Sequence, residues 1–413
     1  MIRQPFSAGG HTKTICIIGA GPAGLFSAIQ LAPHANVILL EKNSKAGLKL
    51  RISGSGQANL THSGTEEEFI KHYGEHGLFL KHSLYDFNNM ALCVFFAQNG
   101  YPLVEREDGK YFPQARNADL IADKLVGMCF DRGVKIRFQE PVLSISKYGS
   151  EFTVITPTQS TKCDVVILAT GGITYPRTGS TGDGYRLAEA MGHRIVKPKP
   201  ALAPFAIRNY AWAHLSGISY EHIKVDILRH GKCIASLSDS VLFTHTGLSG
   251  PAILHLSRYA QPKDSVRLHL LDDRQFEQLS KTLRFVSSSR KSIKTILHDF
   301  GLVFRMIEMI LPMCRISETE TPFQLSRDKR DTLLHLMSHF EMEIEDAGNV
   351  NNGMVTAGGV DLSEVNSKTM ESRIVPNLYM IGEVLDVDGD SGGYNLQAAF
   401  STAFTAAKGI IKL

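Results

Sequence analysis

The stretch Thr14–Glu41 constrains the fold most, because it predicts a strand, a glycine turn, a helix and a second strand in close succession. Its opening run, Thr14–Ile18, is short and mostly apolar, as in a buried parallel strand. The next residues fit the pattern G-x-G-x-x-G and are Gly19, Ala20, Gly21, Pro22, Ala23 and Gly24. In this pattern the first glycine permits a tight turn, the second lets a pyrophosphate approach the backbone, and the third lets helix and strand pack closely.

The helix and the acidic residue that follow complete the pattern. The helix runs to about Leu31, and its N-terminal N–H groups and positive dipole end would face a phosphate. The second strand, Asn36–Leu40, ends in Glu41, about 20 residues past the turn, where a carboxylate binds the hydroxyls of an adenosine ribose. The stretch therefore predicts half of a dinucleotide-binding fold, and it fits NAD as well as FAD.

Length and composition limit the number of domains and the class of protein to be expected. A chain of 413 residues is too long for one compact core, so we expect two or three domains. No run approaches the roughly 18 apolar residues of a membrane helix. The N-terminal segment MIRQPFSAGGHTK lacks an apolar core, and we interpret it as a disordered leader, not a secretory signal. The cysteines are scattered without a C-x-x-C, which favours a reducing, cytoplasmic setting.

The charge distribution and the spacing of possible metal ligands give only weak indications of a binding site. The net charge is +3, and the locally basic stretches Ser287–Lys294 and Ser326–Arg330 indicate solvated helical surface, with an RNA-facing patch left open. His72 and His76 are four residues apart, but no third metal ligand is placed. The run DVDGD from Asp386 opens like a calcium loop but has Gln at the twelfth position, so we expect no metal site.

Local sequence patterns predict the secondary structure of the rest of the first half of the chain. We expect Lys42–His62, rich in Gly, Ser, Asn and Lys, to be a loop that runs along an extended cofactor, with Lys49 and Arg51 able to meet phosphate charge. Glu66–Phe96 has helical apolar spacing. Gly100–Phe112 predicts a hairpin. Asn117 can cap a helix that runs to about Asp131.

Short β-rich runs between Val134 and Leu168 predict a return to the parallel sheet, an antiparallel crossover and a further sheet strand. The last of these strands ends in small residues that include Thr170 and Gly171, which permit close approach of a ligand.

The middle of the chain changes character after about Arg194, where prolines mark a boundary. Alternating strands follow, and then a mainly helical pattern from Asp273 to Phe340. The tail returns to the first fold with a strand at Asn377–Ile381 and a helix at Asn395–Ile411. We therefore expect a cofactor domain over residues 1–193 and 350–413, an inserted β domain over 194–272 and 338–349, and a helical subdomain over 273–337.

Five segments occur together in one order: the glycine turn, ISGSGQANLTH, ATGG, FTHTGLSGPAIL, and VTAGGV followed by TMESRIVPNLYMIGEVLDVDGDSGGYNLQAAF. Together they closely resemble the BaiN-type (aminoacetone-oxidase-like) family of three-domain NAD(P)/FAD-dependent flavoproteins. The resemblance implies an α/β fold whose glutathione-reductase-like FAD/NAD(P)-binding Rossmann domain is built from both chain ends. An antiparallel β domain and a small helical domain would be inserted between them.

The resemblance also implies a set of cofactor-binding residues. The glycine turn would line the FAD pyrophosphate, and Glu41, with Lys42 beside it, would lie at the adenosine ribose. Ser53, Gly54 and Asn59 would run beside the cofactor, and Val142 would offer backbone groups to adenine. The C-terminal part of the site would consist of Gly382, Glu383, Gly393, Asn395 and Leu396, near the ribityl chain and the isoalloxazine ring. Glu383 stands where many relatives of this fold place Asp.

One loop departs from the commoner family pattern, SGGGRCN-x-TN. At the variable positions of that pattern this chain has Ser55, Gln57, Ala58 and His62. The Arg and the Cys that the pattern places near the cofactor are therefore absent. No catalytic role of either residue can be transferred to this chain.

For acid–base work the leading candidate is His245, because it follows a strand of the inserted domain in a polar loop and a histidine titrates near neutral pH. Tyr394 is the second candidate. A structural histidine that binds its own loop, and a tyrosine ring packed beside the cofactor, are the alternatives.

Three functions stay open on sequence alone. The first is a small-molecule FAD-dependent oxidoreductase that transfers hydride through flavin N5, including an amine oxidase that uses oxygen. The second is a flavin-dependent reductase of an RNA base, since rRNA dihydrouridine formation is associated with relatives of the family. The third is a non-catalytic FAD- or RNA-binding module, which the dense glycine loops disfavour. Only one convincing nucleotide fingerprint is present. NAD(P)H, if used, would therefore be a transient donor at a less conventional site; the alternative is that the substrate itself reduces the flavin.

Overall fold

The computed structural model describes residues 12–285 and 291–412, so almost all of the expected leader and part of the first basic stretch lie outside it. The chain divides into two compact units. The first comprises the segment up to Pro200 together with Gly353 onward, and the second is Ala201–Asn352. Each unit has its own hydrophobic core.

The elements of the first unit come from both ends of the chain. Its N-terminal segment contains β1 (Thr14–Ile18), α1 (Pro22–Leu31), β2 (Asn36–Leu40), α2 (Leu48–Gly56), β3 (Thr61–His62), α3 (Glu66–Lys71), α4 (Gly77–Asp86), α5 (Asn89–Gln98), β4 (Leu103–Glu105), β5 (Lys110–Pro113), α6 (Ala118–Asp131), β6 (Lys135–Arg137), β7 (Ser144–Tyr148), β8 (Glu151–Ile155), β9 (Ser160–Cys163), β10 (Val165–Leu168), α7 (Asp183–Ala190) and β11 (Ile195–Ala201).

The second unit and the C-terminal segment follow. The second unit contains β12 (Phe205–Ile207), β13 (Ser219–Arg229), β14 (Lys232–Phe243), β15 (Gly247–Ser249), α8 (Pro251–Leu256), β16 (Ser265–His269), α9 (Asp273–Phe285), α10 (Ile293–Asp299), α11 (Phe304–Met313), α12 (Arg327–Ser338) and β17 (Phe340–Asp346). The C-terminal segment adds β18 (Val355–Val360), β19 (Leu378–Met380) and α13 (Tyr394–Ile411) to the first unit.

A five-stranded parallel sheet organises the first unit, in the order β19-β10-β1-β2-β6. Every residue of β10 is buried, and β1 and β2 are buried after their first residue, which explains their apolar composition. The C-terminal strand β19 pairs with β10, with Leu378 opposite Val166. The prediction of a Rossmann domain built from both chain ends is therefore confirmed.

Two small antiparallel sheets flank this framework. Strands β7, β8 and β9 form the predicted crossover, and β4 and β5 form the predicted hairpin, with β3 added beside β5. The side chain of Asn117 accepts hydrogen bonds from the backbone N–H groups of Asp119 and Leu120, as expected of the cap of α6.

Two local predictions were wrong in part. Lys42–His62 is not a continuous loop, because Leu48–Gly56 is assigned as helix α2, with non-helical backbone at Ser53–Ser55. Leu50 and Arg51 are buried there, so tertiary contacts override the Gly- and Ser-rich composition. Glu66–Phe96 is not one helix, since it breaks into α3, a short 3₁₀ turn, α4 and α5, with glycines at Gly74 and Gly77.

The second unit is a closed antiparallel barrel in the order β12-β15-β14-β13-β16-β17. Helices α9 to α12 share one core with the barrel; Leu279, Ile307 and Leu333 are fully buried in it. The fold class predicted from the sequence is confirmed, while the separate boundary near residue 273 stays a prediction. Among the described helices, none combines the length and apolar character needed to cross a membrane.

Candidate functional site

The turn between β1 and α1 is shaped by its glycines. Gly19 has φ +101°, and an added Cβ would lie 2.5 Å from the carbonyl oxygen of Ala169. A Cβ on Gly24 would lie 1.9 Å from the carbonyl oxygen of Gly19. Around Gly21, by contrast, no heavy atom of the described chain lies within 4 Å of an added Cβ. Gly19 and Gly24 thus serve packing, while Gly21 faces open space at the start of α1.

The other residues of the turn fix the start of the helix. Pro22 occupies its first turn, and Ala20 and Ala23 are buried in the core. The turn leaves the first N–H groups of α1 directed at the space beside Gly21.

Glu41 is buried at the end of β2 and is bonded to this turn. Its Oε2 accepts the N–H of Ala20 at 2.9 Å, and its Oε1 accepts the N–H and Nδ2 of Asn43 at 2.9 and 2.8 Å. A carboxylate has about four acceptor positions, so it retains capacity for a ligand hydroxyl. The neighbouring Lys42 binds Thr181 and Asp183 at the start of α7.

Lys49 and Glu383 form an ion pair between the two chain ends. Lys49 Nζ donates to both carboxylate oxygens of Glu383 at 2.9 Å and to Thr174 Oγ1 at 2.8 Å. The Glu383 carboxylate also accepts the N–H of Thr356 at 2.9 Å. Arg51, the other cation of the same segment, instead binds Asp119 and Asp123 of α6 at 2.6 Å each.

The neighbouring Gly382 joins the C-terminal segment to α1. It has φ +70°, and an added Cβ would lie 3.1 Å from the Cβ of Ala23. Its N–H donates to Thr402 Oγ1 at 3.0 Å. Gly382 and Glu383 are therefore held beside the glycine turn.

The loop after β10 adds one unpartnered polar group. Within the part of the chain that the structure describes, Thr170 Oγ1 is buried and has no hydrogen-bond partner. Gly171 has φ +71°, and an added Cβ would lie 4.0 Å from Glu383 Oε2. Gly171 therefore lies close to the Glu383 carboxylate of the ion pair, whereas Thr170 Oγ1 lies against Gly184, where an added Cβ would be 1.9 Å from it.

The segment after α2 contains a similar group. Gly54 has φ +54°, and an added Cβ would lie 2.8 Å from the backbone nitrogen of Asn59. Asn59 Oδ1 is buried with no partner among the described residues. Ser53 Oγ donates to the carbonyl of Leu50 at 2.7 Å. Gly54 and Asn59 are therefore neighbours, and Asn59 presents a free acceptor.

The start of α13 is tied to β3 and to the loop before it. Gly393 caps the helix with φ +101°, and an added Cβ would lie 2.6 Å from the carbonyl oxygen of Thr61. Asn395 Oδ1 accepts the N–H of Gly389, and its Nδ2 donates to the carbonyl of Gly389, each at 2.8 Å. Leu396 is half-buried against the core.

Tyr394, the first residue of α13, is packed between two imidazoles. Its ring centroid lies 4.1 Å from that of His72, at 20° between planes, and 5.2 Å from that of His62, at 16°. Burial raises the pKa of the Tyr394 phenol, and the negative charge of Asp390 adds to that effect. His72 Nδ1 in turn donates to Asp390 Oδ2 at 3.0 Å.

The sequence patterns do not predict this cluster. The spacing of His72 and His76 suggests only a metal ligand, and Asp390 stands out only as part of a run that opens like a calcium loop. Within the described residues, no group of three or more His, Cys, Asp and Glu side chains could hold a metal ion. The contact between His72 and Asp390 spans 318 residues, so no local pattern could have indicated it.

The structure also shows the surroundings of two further predicted site residues. Val142 is buried before β7, and its carbonyl accepts from Arg186 at 3.3 Å. His245 is exposed in the turn between β14 and β15, where Thr244 and Gly247 close the turn with a 2.9 Å backbone bond. It belongs to the second unit, and its catalytic role stays a prediction.

These features fit an extended dinucleotide such as FAD. The open space at Gly21 suits a pyrophosphate, and the free acceptor positions of Glu41 suit ribose hydroxyls. The unpartnered Thr170 Oγ1 and Asn59 Oδ1 are polar atoms that a ligand would satisfy. The N-terminus of α13 offers its dipole to a negatively charged ring system.

Comparisons with known proteins agree with this geometry. The model of the HI0933-like protein Rossmann domain matches residues 13–409. The ribosomal RNA dihydrouridine synthase of Haemophilus influenzae is 34% identical over 402 residues, covering 95% of this chain and 97% of that protein. The 3-dehydro-bile acid delta(4,6)-reductase of Clostridium scindens is 29% identical, covering 95% and 98%.

A solved structure shows the same fold at low identity. The 3-ketosteroid delta1-dehydrogenase of Sterolibacterium denitrificans has a TM-score of 0.52 and 12% identity, covering 97% of this chain and 100% of that chain. The predictions of a Rossmann fold and of an oxidoreductase are confirmed by these comparisons. With a family model that spans nearly all of its residues, the chain belongs to the HI0933-like family of Rossmann-domain proteins.

Proposed function

We propose that the protein is an FAD-dependent reductase of carbon–carbon double bonds conjugated to a carbonyl group, in the three-domain BaiN-type branch that the sequence resembles. The observation that carries the proposal is the arrangement of the cofactor site in the first unit. Gly21 of the glycine turn faces open space, and Glu383 and the start of α13 belong to the same unit. This arrangement suits a cofactor stretched between the two chain ends.

We choose a conjugated carbon–carbon double bond as the group that is reduced because of the reactions for which two relatives are named. Forming dihydrouridine saturates the C5–C6 bond of uracil, which is conjugated to the C4 carbonyl. A delta(4,6)-reductase of a 3-dehydro bile acid saturates bonds conjugated to the 3-oxo group. For a single double bond conjugated to the carbonyl, as in uracil or a 3-oxo-4-ene, such a reduction places a hydride on the β carbon and a proton on the α carbon. Bound FAD, once reduced, supplies the hydride of such a reaction.

The residues of this chain would hold the cofactor in four places. The N–H groups at the start of α1 bind the pyrophosphate, and Glu41 binds the adenosine ribose. Lys49 and Glu383, fixed on each other, bind along the ribityl chain. The first N–H groups of α13 stabilise negative charge on the ring system.

We infer that NAD(P)H is a transient electron donor. Only one nucleotide fingerprint is present in the sequence, and the residues around it are those assigned to FAD. The nicotinamide would therefore visit the flavin without a Rossmann domain of its own.

Both a uracil in ribosomal RNA and a small unsaturated ketone meet the chemical requirement. The basic stretches do not favour RNA strongly, because Lys294 pairs with Glu308 and Glu318, and Lys329 pairs with Glu320. RNA remains the first acceptor to test, because the relative at 34% identity is named for that reaction.

The test is anaerobic stopped-flow on the purified yellow protein. NADH, NADPH and a primary amine are each mixed with it, and bleaching of the flavin band is recorded. The reduced protein is then mixed with unmodified ribosomal RNA, with a 3-oxo-4-ene steroid, or with oxygen. Bleaching by a nicotinamide and reoxidation by one of the two conjugated acceptors are expected. Bleaching by the amine with reoxidation by oxygen alone would overturn the proposal in favour of an amine oxidase.

A further inference from the structure

His72 and Asp390 form a pair that is fixed at two points. The imidazole Nδ1–H donates to Asp390 Oδ2 at 3.0 Å, and the backbone N–H of Asp390 donates to the carbonyl of His72 at 2.9 Å. An ionised carboxylate can only accept hydrogen bonds, so Asp390 fixes the His72 tautomer that has hydrogen on Nδ1. Nε2 is then available to interact with another group.

The pair is held against the first residue of α13. The ring of His72 stacks on Tyr394, and the Tyr73 hydroxyl donates to the carbonyl of Tyr394 at 2.8 Å. The His72 side chain is 39% exposed, so it can exchange protons with solvent, whereas Tyr394 as a whole residue is only 4% exposed. An imidazole in this setting is oriented, reachable and next to the helix start assigned to the flavin ring.

We propose that His72 is the general acid of the reaction and that Asp390 is its positioning residue. This inference rests on the proposed function, since it names the source of the proton in double-bond reduction. The imidazolium of His72 carries hydrogen on both nitrogens, with Nδ1–H held by Asp390 and Nε2–H free to donate.

The step balances with one two-electron donor. The double bond of the acceptor accepts a hydride from reduced FAD at its β carbon, and the proton on Nε2 goes to its α carbon. The acceptor gains two electrons and two hydrogens, the reduced flavin loses two electrons and returns to FAD, and neutral His72 regains its proton from water. A histidine in this role contributes about 10²- to 10⁴-fold to the rate.

Tyr394 is less suited to the same role. Burial raises the pKa of its phenol, and its ring is stacked with the imidazoles of His72 and His62. It serves to hold His72 in place. The charged and titratable groups that face His72 are Asp390 from the loop, Glu68 from α3, and Tyr394 with His62 behind it.

The test compares two variants of the holoenzyme with a matched control. His72→Phe keeps a ring on Tyr394 and removes both nitrogens, and Asp390→Asn removes the carboxylate charge. The control is His82→Gln, because His82 also pairs with an aspartate, Asp86 at 3.3 Å, and its side chain is equally exposed at 39%. FAD affinity and the visible flavin spectrum are measured first and are expected to match the wild type.

Reoxidation of the photoreduced flavin by unmodified ribosomal RNA and by a 3-oxo-4-ene steroid is then followed from pH 5 to 9. His72→Phe is expected to slow reoxidation at least about 100-fold while flavin reduction by NADPH is unchanged. Asp390→Asn is expected to slow reoxidation less than His72→Phe, because the amide can also turn its NH₂ group to Nδ1 and no longer fixes one tautomer of the imidazole. Imidazole added to His72→Ala is expected to restore part of the rate.

The outcomes separate the two proposals. If neither acceptor reoxidises the wild type, the proposed function and this inference fail together. If the wild type is reoxidised and His72→Phe is within about threefold of it, the inference alone fails. It also fails if His82→Gln slows reoxidation equally, or if His245→Ala gives the large loss instead. ¹⁵N spectra of the holoenzyme that show hydrogen on Nε2 of neutral His72, not on Nδ1, would overturn the role of Asp390.

Discussion

Lys49 Nζ lies 2.9 Å from both carboxylate oxygens of Glu383, although 334 residues separate the two in sequence. Both side chains are about four-fifths buried. The pair therefore links the segment after the first Rossmann half to the C-terminal segment at the position where the cofactor is expected. Removing the charge of either side chain leaves the other charge without a partner at a position with little access to solvent.

Lys49→Met and Glu383→Gln should each lower the stability of the first unit by about 1–3 kcal/mol, because each strands a buried charged group. The double variant should lose less than the sum of the two, since neither charge is then left alone. Thermal unfolding and FAD titration of the three variants measure this. Lys45→Met is the control, because Lys45 is 54% exposed and lies 3.6 Å from Asp119. Additive losses would show that the pair is not coupled.

Successive residues encode the turn, the parallel strands and the cap of α6, which explains why these could be predicted from sequence. Apolar strands, a glycine pattern and a capping Asn are local signals. The contacts of Lys49 with Glu383 and of His72 with Asp390 join segments more than 300 residues apart. No periodicity or spacing carries that information, so these parts of the site needed the structure.

The glycine turn separates packing from ligand binding. Gly24→Ala should destabilise the protein by about 1–3 kcal/mol, because the new Cβ would lie 1.9 Å from the carbonyl oxygen of Gly19. Gly21→Ala should cost about 1 kcal/mol or less, since its Cβ meets no heavy atom of the described chain within 4 Å. It should nevertheless weaken FAD binding at least about tenfold, by filling the space of the pyrophosphate.

Apoprotein melting and calorimetric FAD titration distinguish the two glycine variants. A Gly21→Ala protein that binds FAD as tightly as the wild type would place the pyrophosphate elsewhere. A Gly24→Ala protein of unchanged stability would contradict the close approach of α1 to β1.

Arg51 shows how a tertiary contact decides local structure. Its guanidinium donates to the carbonyl of Ala46 and binds Asp119 and Asp123, so that α2 packs on α6. The composition of Lys42–His62 predicts a loop, and the partners of Arg51 lie about 70 residues later. The helix could not be predicted because its stabilising contacts are not in its own sequence.

His193 makes stability depend on pH. Its side chain is buried between Glu364 and Ser372, at 3.0 and 2.8 Å, and burial lowers the pKa of its imidazole below 6.5 despite the nearby carboxylate. The unfolded chain therefore takes up a proton near pH 6.5, before the folded chain does. The stabilisation is complete above pH 6.5 and is lost as pH falls from there through the folded-state pKa.

The melting temperature should accordingly fall between pH 7 and pH 5, and less so in His193→Gln. Melting curves at intervals of half a pH unit measure the slope. His34→Gln, at an exposed position, should keep the slope of the wild type. Equal slopes in all three proteins would assign the pH dependence to other groups.

The last prediction separates packing from chemistry at Tyr394. Tyr394→Ala should cost about 3–5 kcal/mol, because it empties a buried site between His62 and His72. Tyr394→Phe keeps the stacked ring, and since burial raises the pKa of the phenol, loss of the hydroxyl should change turnover by less than about threefold. Urea unfolding and flavin reoxidation rates measure the two effects. A loss of about 100-fold in Tyr394→Phe with intact FAD binding would make the phenol the proton donor and leave His72 a packing partner.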